Sequence, residues 1–496
     1  MTATIAELLD DAAAARPDQR LLLDVDGGVL TVGDVAQLST SATGWLADAG
    51  VRPGMTVAWQ LPSHTVAVVV MLALARTATV QAPVLHLYRQ REVGAALDVA
   101  AADILIVDRS TAINAPPDIP VVTLPDDLLD VLRHTPGCAA PALATPRAAD
   151  DARWIYFTSG TTGRPKGVRH TDATLLAAAR GYTKHLGVGG HPAEVGTIGF
   201  PIGHIGGILY VTSALIGAFP ALLIPKIDAA ELPRQLAENR VTVSGSSTAF
   251  YQMLLSAQLA SGRDTSLIPS LRMLIGGGAP CPTELHHKVR NHMGVPIVHA
   301  YGMTEAPTIC VSEATDTTEQ QSNSCGRPIP GAQVRISAGG EVELRGANLT
   351  PGYVDAEQWS LTVTSDGWFR TGDRGHLRSD GRIVITGRVK DLIIRKGENI
   401  SPDEIENELL AHPLIDEVAV IGLPDEDRGE MVCAVVRRSP NRREVSLEEV
   451  CAFLDQRGLM KQKWPERLVV VDEFPMTGLG KIAKTELAEL ITEGAR

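Results

Sequence analysis

Apolar and polar positions change their period repeatedly along the chain, and these changes predict strands and helices in alternation. The first part carries an Ala/Leu-rich helical stretch, then two short apolar runs around an Asp-Gly-Gly turn, which is typical of a strand pair. Strand, helix and strand follow, and such alternation favours an α/β layer with a largely parallel sheet. The predicted elements are a helix at 5–15, strands at 21–25, 28–32, 57–60 and 104–107, and a helix at 66–76.

The alternation resumes after a connection at 114–150, which is rich in Pro, Ala and Asp and is predicted to be irregular. In this second part each apolar strand runs into a glycine-rich or polar loop. Ligands bind at the carboxyl ends of strands in open α/β sheets, so we expect these loops to converge on one crevice. The predicted strands are 154–157, 198–201, 221–225, 241–244, 271–275 and 295–300, with helices at 229–239 and 247–260.

Composition changes near Gly387. Before it, residues 339–346 and 381–385 predict β-hairpins. After it, the Ser-Pro-Asp-Glu run at 401–404 predicts a helix start with a serine N-cap and a capping box, which 446–449 repeats. Strands predicted at 418–421, 432–436 and 468–471 complete a small α+β unit. The predicted fold class is therefore α/β: a large N-terminal domain with parallel-type sheets and a β-rich subdomain (1–387), a hinge (388–390) and a small mobile α+β C-terminal domain (391–496).

Composition narrows the class of protein. The chain has 496 residues, 44% of them hydrophobic, which is enough for sizeable cores and argues against disorder. A net charge of −13 argues against a nucleic-acid surface. Six cysteines without a C-x-x-C pair indicate reduced thiols. The longest apolar run, 66–75, is too short to span a membrane, and residues 1–8 lack the features of a signal peptide, so a cytoplasmic location is expected.

The most informative stretch is 158–168, Thr-Ser-Gly-Thr-Thr-Gly-Arg-Pro-Lys-Gly-Val. Glycines allow backbone N–H groups to approach a ligand, and hydroxyls with the charge of Lys166 complete a concave anion site. The stretch is not a Walker A loop. Lys166 precedes Gly167 instead of following a glycine, and the spacing G-x-x-x-x-G-K-[ST] is absent. A flexible polar hairpin is the alternative, but the length and order of the stretch favour a phosphate-binding loop.

This loop resembles the signature of the adenylate-forming superfamily, which includes acyl-CoA synthetases, peptide-synthetase adenylation domains and beetle luciferases. Six such motifs occur in family order between residues 158 and 481. The resemblance is to the acyl-CoA synthetase, or fatty-acid–CoA ligase, branch. It implies ATP, Mg²⁺ and coenzyme A as cofactors and co-substrates, and a small-molecule carboxylic acid as substrate.

The resemblance also implies roles for individual residues. Tyr301 would contact adenine, Asp373 would accept hydrogen bonds from the ribose hydroxyls, and Glu305 would bind Mg²⁺. Thr304 would contact phosphate, Lys481 would bridge the substrate carboxylate and the α-phosphate, and Lys390 would be the hinge of a domain rotation. The implied ATP and AMP contacts are Thr158, Ser159, Gly160, Thr161, Thr162, Gly163, Lys166, Gly277, Gly278, Ala279, Pro280, Tyr301, Gly302, Met303, Asp373 and Arg388.

The acyl pocket implied by the resemblance is lined by His204, Ile205, Gly206, Ser246, Gly277 and Gly302, and the CoA tunnel by Gly397 and His204. The segment 200–204 lacks the aspartate with which peptide-synthetase domains bind an amino group. Acetyl-CoA synthetases of the family have a tryptophan where this chain has Gly302. We therefore expect a pocket larger than acetate needs, suited to a medium-chain, long-chain or cyclic hydrophobic acid.

The predicted function is thus an ATP-dependent carboxylate–CoA ligase that works through acyl-AMP. An acyl-AMP ligase that loads a carrier protein is the nearest alternative. A luciferase-like oxygenase has no specific support in the sequence, and a non-catalytic nucleotide-binding regulator is disfavoured by the presence of Lys166, Glu305, Asp373 and Lys481. Dependence on CoA distinguishes these functions. The sequence leaves the oligomeric state open, a homodimer included.

Overall fold

The computed structural model describes residues 4–134, 151–158, 165–278, 281–389, 391–395, 398–425, 429–438, 442–477 and 481–493. Its helices are α1 (Ile5–Ala15), α2 (Val32–Asp48), α3 (Thr65–Ala75), α4 (Gln90–Ala100), α5 (Leu128–His134), α6 (Asp172–Leu186), α7 (Ile205–Gly217), α8 (Leu232–Glu238), α9 (Thr248–Ala260), α10 (Thr283–Met293), α11 (Thr318–Ser322), α12 (Ala356–Ser360), α13 (Pro402–Leu409), α14 (Leu447–Gln456) and α15 (Lys484–Glu493).

The strands are β1 (Arg20–Asp24), β2 (Val29–Thr31), β3 (Thr56–Gln60), β4 (Val80–Val84), β5 (Ile104–Val107), β6 (Val121–Thr123), β7 (Ala152–Thr158), β8 (Lys166–Thr171), β9 (Gly196–Ile198), β10 (Ala221–Leu223), β11 (Val243–Gly245), β12 (Met273–Gly277), β13 (Ile297–Met303), β14 (Ala306–Val311), β15 (Arg327–Pro328), β16 (Ala332–Ile336), β17 (Glu341–Gly346), β18 (Gly352–Tyr353), β19 (Phe369–Leu377), β20 (Ile383–Arg388), β21 (Ile393–Arg395), β22 (Glu398–Ile400), β23 (Val418–Asp425), β24 (Gly429–Arg437) and β25 (Arg467–Val471).

Two large mixed sheets carry most of the chain. One has the order β15-β14-β13-β12-β11-β9-β10-β1-β2, and its consecutive pairs from β13 to β1 are parallel. The other has the order β18-β8-β7-β4-β3-β5-β6, with parallel pairs from β7 to β6 and an antiparallel hairpin of β7 and β8. The α/β class with largely parallel sheets is confirmed.

Two smaller sheets complete the fold. The predicted β-rich subdomain is the antiparallel sheet β16-β17-β19-β20. The C-terminal unit has the order β22-β21-β24-β23, with β25 parallel to β24, and helices α13 to α15. Its core includes Ile405, Leu409 and Val450 and is separate from the cores of the larger part.

The longest apolar run forms α3, in which every residue except Val66 is buried. A helix that is apolar on all sides must be covered on all sides, and α3 packs against α1 and α2. Within the described part of the chain, no helix is both long enough and apolar enough to cross a membrane.

Three sequence predictions need correction. The 114–150 connection is not wholly irregular: it contains β6 and α5, while 135–150 lie outside the described residues. β6 is formed by parallel pairing with β5, a non-local contact that three residues cannot signal.

The strand predicted at 295–300 is β13, and it continues through Met303. Residues 301–303 therefore belong to the strand and not to the loop after it. Ser401 precedes α13 without a side-chain capping bond, whereas Ser446 forms the predicted capping box.

Candidate nucleotide and acyl site

Strands β11, β12 and β13 end side by side, which brings the predicted loops to one edge of the large sheet. Gly277 ends β12, and a Cβ atom on it would overlap the carbonyl oxygen of Ala300 in the neighbouring strand. Gly278 follows with a φ of +85°, a conformation that side chains rarely adopt. These glycines therefore permit the close approach of strands at the crevice. Their predicted contact with adenine stays a prediction.

Tyr301, Asp373 and Arg388 form a hydrogen-bonded cluster at this edge. The Tyr301 hydroxyl donates to Asp373 Oδ2 at 2.6 Å, and Arg388 Nε donates to Asp373 Oδ1 at 3.1 Å. Burial raises the pKa of Asp373, while the bond from Tyr301 and the charge of Arg388 oppose the rise. A carboxylate held by two donors has a fixed orientation. The structure thus brings together three of the predicted nucleotide-binding residues from β13, β19 and β20.

Lys481, in the C-terminal unit, acts electrostatically on the same cluster. It is hydrogen-bonded to Thr477: Thr477 N donates to Lys481 O at 2.7 Å and Lys481 N donates to Thr477 Oγ1 at 3.2 Å. Desolvation lowers the pKa of Lys481, Arg388 adds to the lowering and Asp373 opposes it, although the residue as a whole is exposed. The charge of the lysine therefore acts on the Asp373 carboxylate without a direct ion pair among the described contacts.

His204 lies within the electrostatic reach of Lys481. Burial lowers the pKa of His204 to about 4, and the charge of Lys481 adds to the effect, so the imidazole is neutral. Its Nδ1 accepts a hydrogen bond from Gly206 N at 3.1 Å and caps α7. Its ring stacks on Phe200, with 4.8 Å between centroids and 21° between planes. Phe200 was not predicted as a site residue, although it stands in the segment that was interpreted as the pocket wall.

The other predicted pocket residues surround this ring pair or the strand ends nearby. Ile205 and Gly206 are buried in the first turn of α7. Ser246 is buried after β11, and its carbonyl oxygen accepts from Gly277 N at 3.1 Å and from the Tyr251 hydroxyl at 3.2 Å. Their roles toward an acyl chain stay predictions.

Gly302 lies where β13 and β14 approach each other closely, and its predicted place on the floor of the acyl pocket stays a prediction. A Cβ atom at this position would overlap the carbonyl oxygen of Pro307 in β14 and come within 3.3 Å of Thr308 Cα.

The phosphate loop and Glu305 meet at a residue that was missed, Tyr353. Lys166 pairs with Thr158 across the β7–β8 hairpin, and its Nζ lies 5.0 Å from the centroid of the Tyr353 ring. The Tyr353 hydroxyl donates to Glu305 Oε1 at 2.7 Å. Tyr353 lies between a β-hairpin and a short helix, in a Gly-Tyr pair that gives no chemical signal of its own in the sequence.

His170 is a second missed residue. Its Nε2 donates to the carbonyl oxygen of Thr304 at 2.8 Å, and its Nδ1 lies 3.0 Å from Thr174 Oγ1. Burial lowers the pKa of His170 to about 4, which keeps the ring neutral. The histidine therefore fixes the backbone of the turn that presents Thr304 and Glu305. A lone histidine shortly after the predicted phosphate loop gave no reason to expect this contact.

The donor set suits Mg²⁺. Glu305 is buried, its Oε1 is held by Tyr353, and its Oε2 has no hydrogen-bond partner among the described residues. One carboxylate oxygen with substrate phosphates is the usual protein contribution to a Mg²⁺ site. Residues 159–163, 279–280, Lys390 and Gly397 lie outside the described residues, and their roles stay predictions.

Two family models match the chain. That of the AMP-binding enzymes matches residues 9–354, and that of the AMP-binding enzyme C-terminal domain matches 404–481. The chain belongs to the AMP-binding enzyme family. The predicted membership of the adenylate-forming superfamily, and with it an AMP-forming acid–thiol ligase, is confirmed.

Curated relatives of this AMP-binding enzyme are named as CoA ligases. The medium-chain fatty-acid–CoA ligase of Escherichia coli (strain K12) is 30% identical over 516 residues, which cover 97% of this chain and 89% of that protein. The 2-succinylbenzoate–CoA ligase of Bacillus thuringiensis subsp. konkukian (strain 97-27) is 29% identical over 502 residues, which cover 99% of this chain and 100% of that protein.

Solved structures give the same picture. ATP-bound MatB from Rhodopseudomonas palustris matches with a TM-score of 0.88 and 28% identity, over 100% of both chains. The o-succinylbenzoate CoA synthetase MenE from Bacillus subtilis, in complex with its acyl-adenylate intermediate, matches with a TM-score of 0.83 and 25% identity, over 97% of both chains.

Proposed function

We propose that this AMP-binding enzyme is an ATP-dependent carboxylate–CoA ligase that works through acyl-AMP on a medium-chain, long-chain or cyclic hydrophobic acid. The observation that carries the proposal is the buried Asp373 carboxylate, held by hydrogen bonds from Tyr301 and Arg388, in a chain that matches the AMP-binding enzyme family. The charge of Lys481 acts on Asp373, Arg388 and His204, which supports a place for it near the proposed ribose-binding carboxylate and the proposed wall of the acyl pocket. That is where a carboxylate and an α-phosphate would meet.

In the first half-reaction a carboxylate oxygen attacks the α-phosphorus of ATP, and pyrophosphate leaves. Asp373, held by Tyr301 and Arg388, accepts hydrogen bonds from the ribose. Lys166 and Thr304 contact phosphate oxygens, and Lys481 stabilises charge that develops on the reacting oxygens. Glu305 would hold Mg²⁺, which supplies positive charge to the phosphates when bound.

In the second half-reaction the CoA sulfur bonds to the acyl carbon, the bond from that carbon to the AMP oxygen breaks, and the thiol proton is released. We infer that Lys481, whose charge acts on Asp373 and His204, must leave this region before the thiol enters. The thiol therefore needs the C-terminal unit to turn about the proposed hinge at 388–390, which separates 1–387 from 391–496. The rotation withdraws Lys481 and would bring Gly397 to the tunnel.

The proposed size of the acid does not depend on Gly302. Its support is the apolar wall formed by Phe200 and Ile205, beside the neutral imidazole of His204. No cation stands among the described pocket residues to pair with a second carboxylate. Each buried methylene contributes about 0.8 kcal/mol, so a hydrophobic acid should be preferred over acetate. The name of the Escherichia coli relative is consistent with this preference.

The test is a panel of acids from acetate to dodecanoate, with benzoate, malonate and 2-succinylbenzoate, assayed for AMP and pyrophosphate with and without CoA. Mass spectrometry identifies acyl-CoA products. We expect AMP release to need CoA and to increase with chain length. Acyl-AMP that accumulates without any acyl-CoA would favour a carrier-protein acceptor. Absence of turnover with every acid would contradict the ligase itself.

A cytoplasmic location belongs to the same proposal. It is supported by the need for ATP and CoA, and by the five cysteines within the described ranges, all of which are free thiols. Assembly into a homodimer stays a prediction for light scattering to test.

A further inference from the structure

The segment that follows β17 joins the phosphate loop to the turn that carries Glu305. Thr350 N donates to Glu305 O at 2.8 Å, and the Thr350 hydroxyl donates to Arg169 O. The segment then pairs with β8 through Tyr353 and Val168, and Val354 N donates to Gly167 O at 2.8 Å. One short stretch of chain therefore fixes both the strand that leaves the phosphate loop and the backbone of Glu305.

Within that stretch, one side chain contacts both charged groups. The Tyr353 hydroxyl donates to Glu305 Oε1 at 2.7 Å, and the Tyr353 ring lies 5.0 Å from Lys166 Nζ. The ring is buried and packs edge-on against Trp359, with 5.2 Å between centroids and 82° between planes. Trp359 in turn stacks on Phe369. Tyr353 thus has little freedom to move, and its two contacts are fixed relative to each other.

The chemistry of these contacts is complementary. A donor on one oxygen of a carboxylate leaves the other oxygen, here Glu305 Oε2, available to a metal ion, and such supporting bonds tune metal affinity. The face of an aromatic ring attracts an ammonium group and limits where it rests. Both partners are groups that the proposed reaction directs at the phosphates of ATP.

We propose that Tyr353 is a positioning residue for metal-bound ATP: its hydroxyl orients the Glu305 carboxylate and its ring places the Lys166 ammonium. This inference rests on the proposed function, since it takes ATP and Mg²⁺ as the ligands. Tyr353 itself need not touch ATP. The two parts of the side chain have separable effects, because the hydroxyl acts on the metal and the ring acts on the lysine.

The first test is calorimetric titration of ATP into the enzyme without acid or CoA, at a series of MgCl₂ concentrations and in EDTA. Tyr353→Phe keeps the ring and removes the hydroxyl. It should raise the MgCl₂ concentration for half-maximal ATP binding about 10-fold, within the range known for such supporting residues, and leave binding in EDTA unchanged. Tyr353→Leu also removes the ring and should weaken ATP binding in EDTA as well.

Tyr156→Phe is the matched control. Tyr156 and Tyr353 both pair with Val168, from opposite sides of β8, but the buried Tyr156 hydroxyl has no partner within the described part of the chain. The same substitution there should leave the MgCl₂ dependence as in wild type. In a Glu305→Gln background, Tyr353→Phe should have no further effect on that dependence, since the route through Glu305 is already lost.

A Tyr353→Phe enzyme with wild-type MgCl₂ dependence and intact folding would overturn the inference. If that variant unfolds at the assay temperature, Trp359→Leu carries the test, because it loosens the Tyr353 ring without removing the hydroxyl. It should shift the MgCl₂ dependence in the same direction by a smaller factor, and no shift would equally overturn the inference. Failure of the ligase proposal is a different result: wild type would then form no AMP with any acid in the panel.

Discussion

The hydroxyl of Ser401 donates a hydrogen bond to the carbonyl oxygen of Thr386. Ser401 stands at the start of α13 in the C-terminal unit, and Thr386 lies in β20 of the larger part. The two segments touch, because a Cβ atom on Gly387 would come within 2.7 Å of Ser401 Oγ. The bond therefore ties the two sides of the proposed hinge in the described conformation.

Ser401→Ala should weaken this conformation. A neutral hydrogen bond contributes about 0.5–1.5 kcal/mol net, which corresponds to a shift of roughly 2- to 10-fold in a two-state equilibrium. We expect acyl-AMP formation to slow by up to that factor, while thioester formation from supplied acyl-AMP is unchanged or faster. Single-turnover rates of the two half-reactions measure the change.

Ser446→Ala is the control for this variant. Ser446 also begins a helix, but its hydroxyl accepts a bond from Glu449 N at 3.2 Å and caps its own helix α14. Its loss should lower the free energy of unfolding by about 1 kcal/mol and leave the ratio of the two rates as in wild type. If Ser401→Ala behaves in the same way as Ser446→Ala, the bond to Thr386 has no part in the conformational balance.

Lys481→Ala should abolish the first half-reaction selectively. Removing a positioned charge at reacting oxygens costs roughly 10²- to 10³-fold in rate. Acyl-AMP formation should fall by that factor or more, and CoA transfer from supplied acyl-AMP should persist. Lys461→Ala is the matched control, since Lys461 is exposed and rests on Trp464 in the same C-terminal unit. Equal loss of both half-reactions would contradict a role limited to adenylation.

Much of the fold was predictable because long elements carry periodic signals. The amphipathic helix at 5–15 and the apolar strand at 104–107 appear in the structure at those residues. β6 and α5 were missed because their short runs are stabilised by distant partners. Ser401 has the sequence of a cap, but its hydroxyl bonds to a residue 15 positions earlier in the chain.

The site was predictable as a set of motifs but not as a set of contacts. Asp373 and Arg388 were predicted from separate motifs, and the structure joins them by a hydrogen bond, while the charges of both act on Lys481. Tyr353 and His170 were missed because each acts by supporting another residue. The Tyr353 hydroxyl lies 2.7 Å from Glu305 Oε1, 48 positions away in the sequence. The His170 imidazole lies 2.8 Å from the Thr304 carbonyl oxygen, 134 positions away. No local sequence pattern records contacts between residues so far apart.

Gly302→Ala should reduce activity on all acids alike. The added methyl would overlap the backbone of Pro307, so β13 or β14 must shift, and Tyr301 shifts with it. We expect a lower melting temperature and a similar fractional loss of kcat/KM for short and long acids. Selective loss on long acids would instead favour the pocket-floor interpretation.

Gly44→Ala is the control. Gly44 lies in α2 with open space around it, and alanine there should be neutral or stabilise the protein by about 0.5–1 kcal/mol.

Stability should fall as pH falls from about 6.5 toward 4, because buried histidines are held neutral in the folded state. Burial lowers the pKa of His170, His204 and His299 to about 4 and that of His286 to about 3, from 6.5 in the unfolded chain. Between these pKa values the unfolded state binds more protons than the folded state, so acid favours unfolding. Each such histidine adds about one proton, or roughly 1.4 kcal/mol per pH unit, to the slope of unfolding free energy against pH. His286→Gln should reduce the slope of unfolding free energy against pH, measured by urea denaturation between pH 6 and 4.5, by about that amount. His292→Gln, an exposed position on the same helix α10, should leave the slope unchanged. An equal slope in wild type and His286→Gln would show that His286 is protonated in the folded protein and that its burial does not oppose the charge.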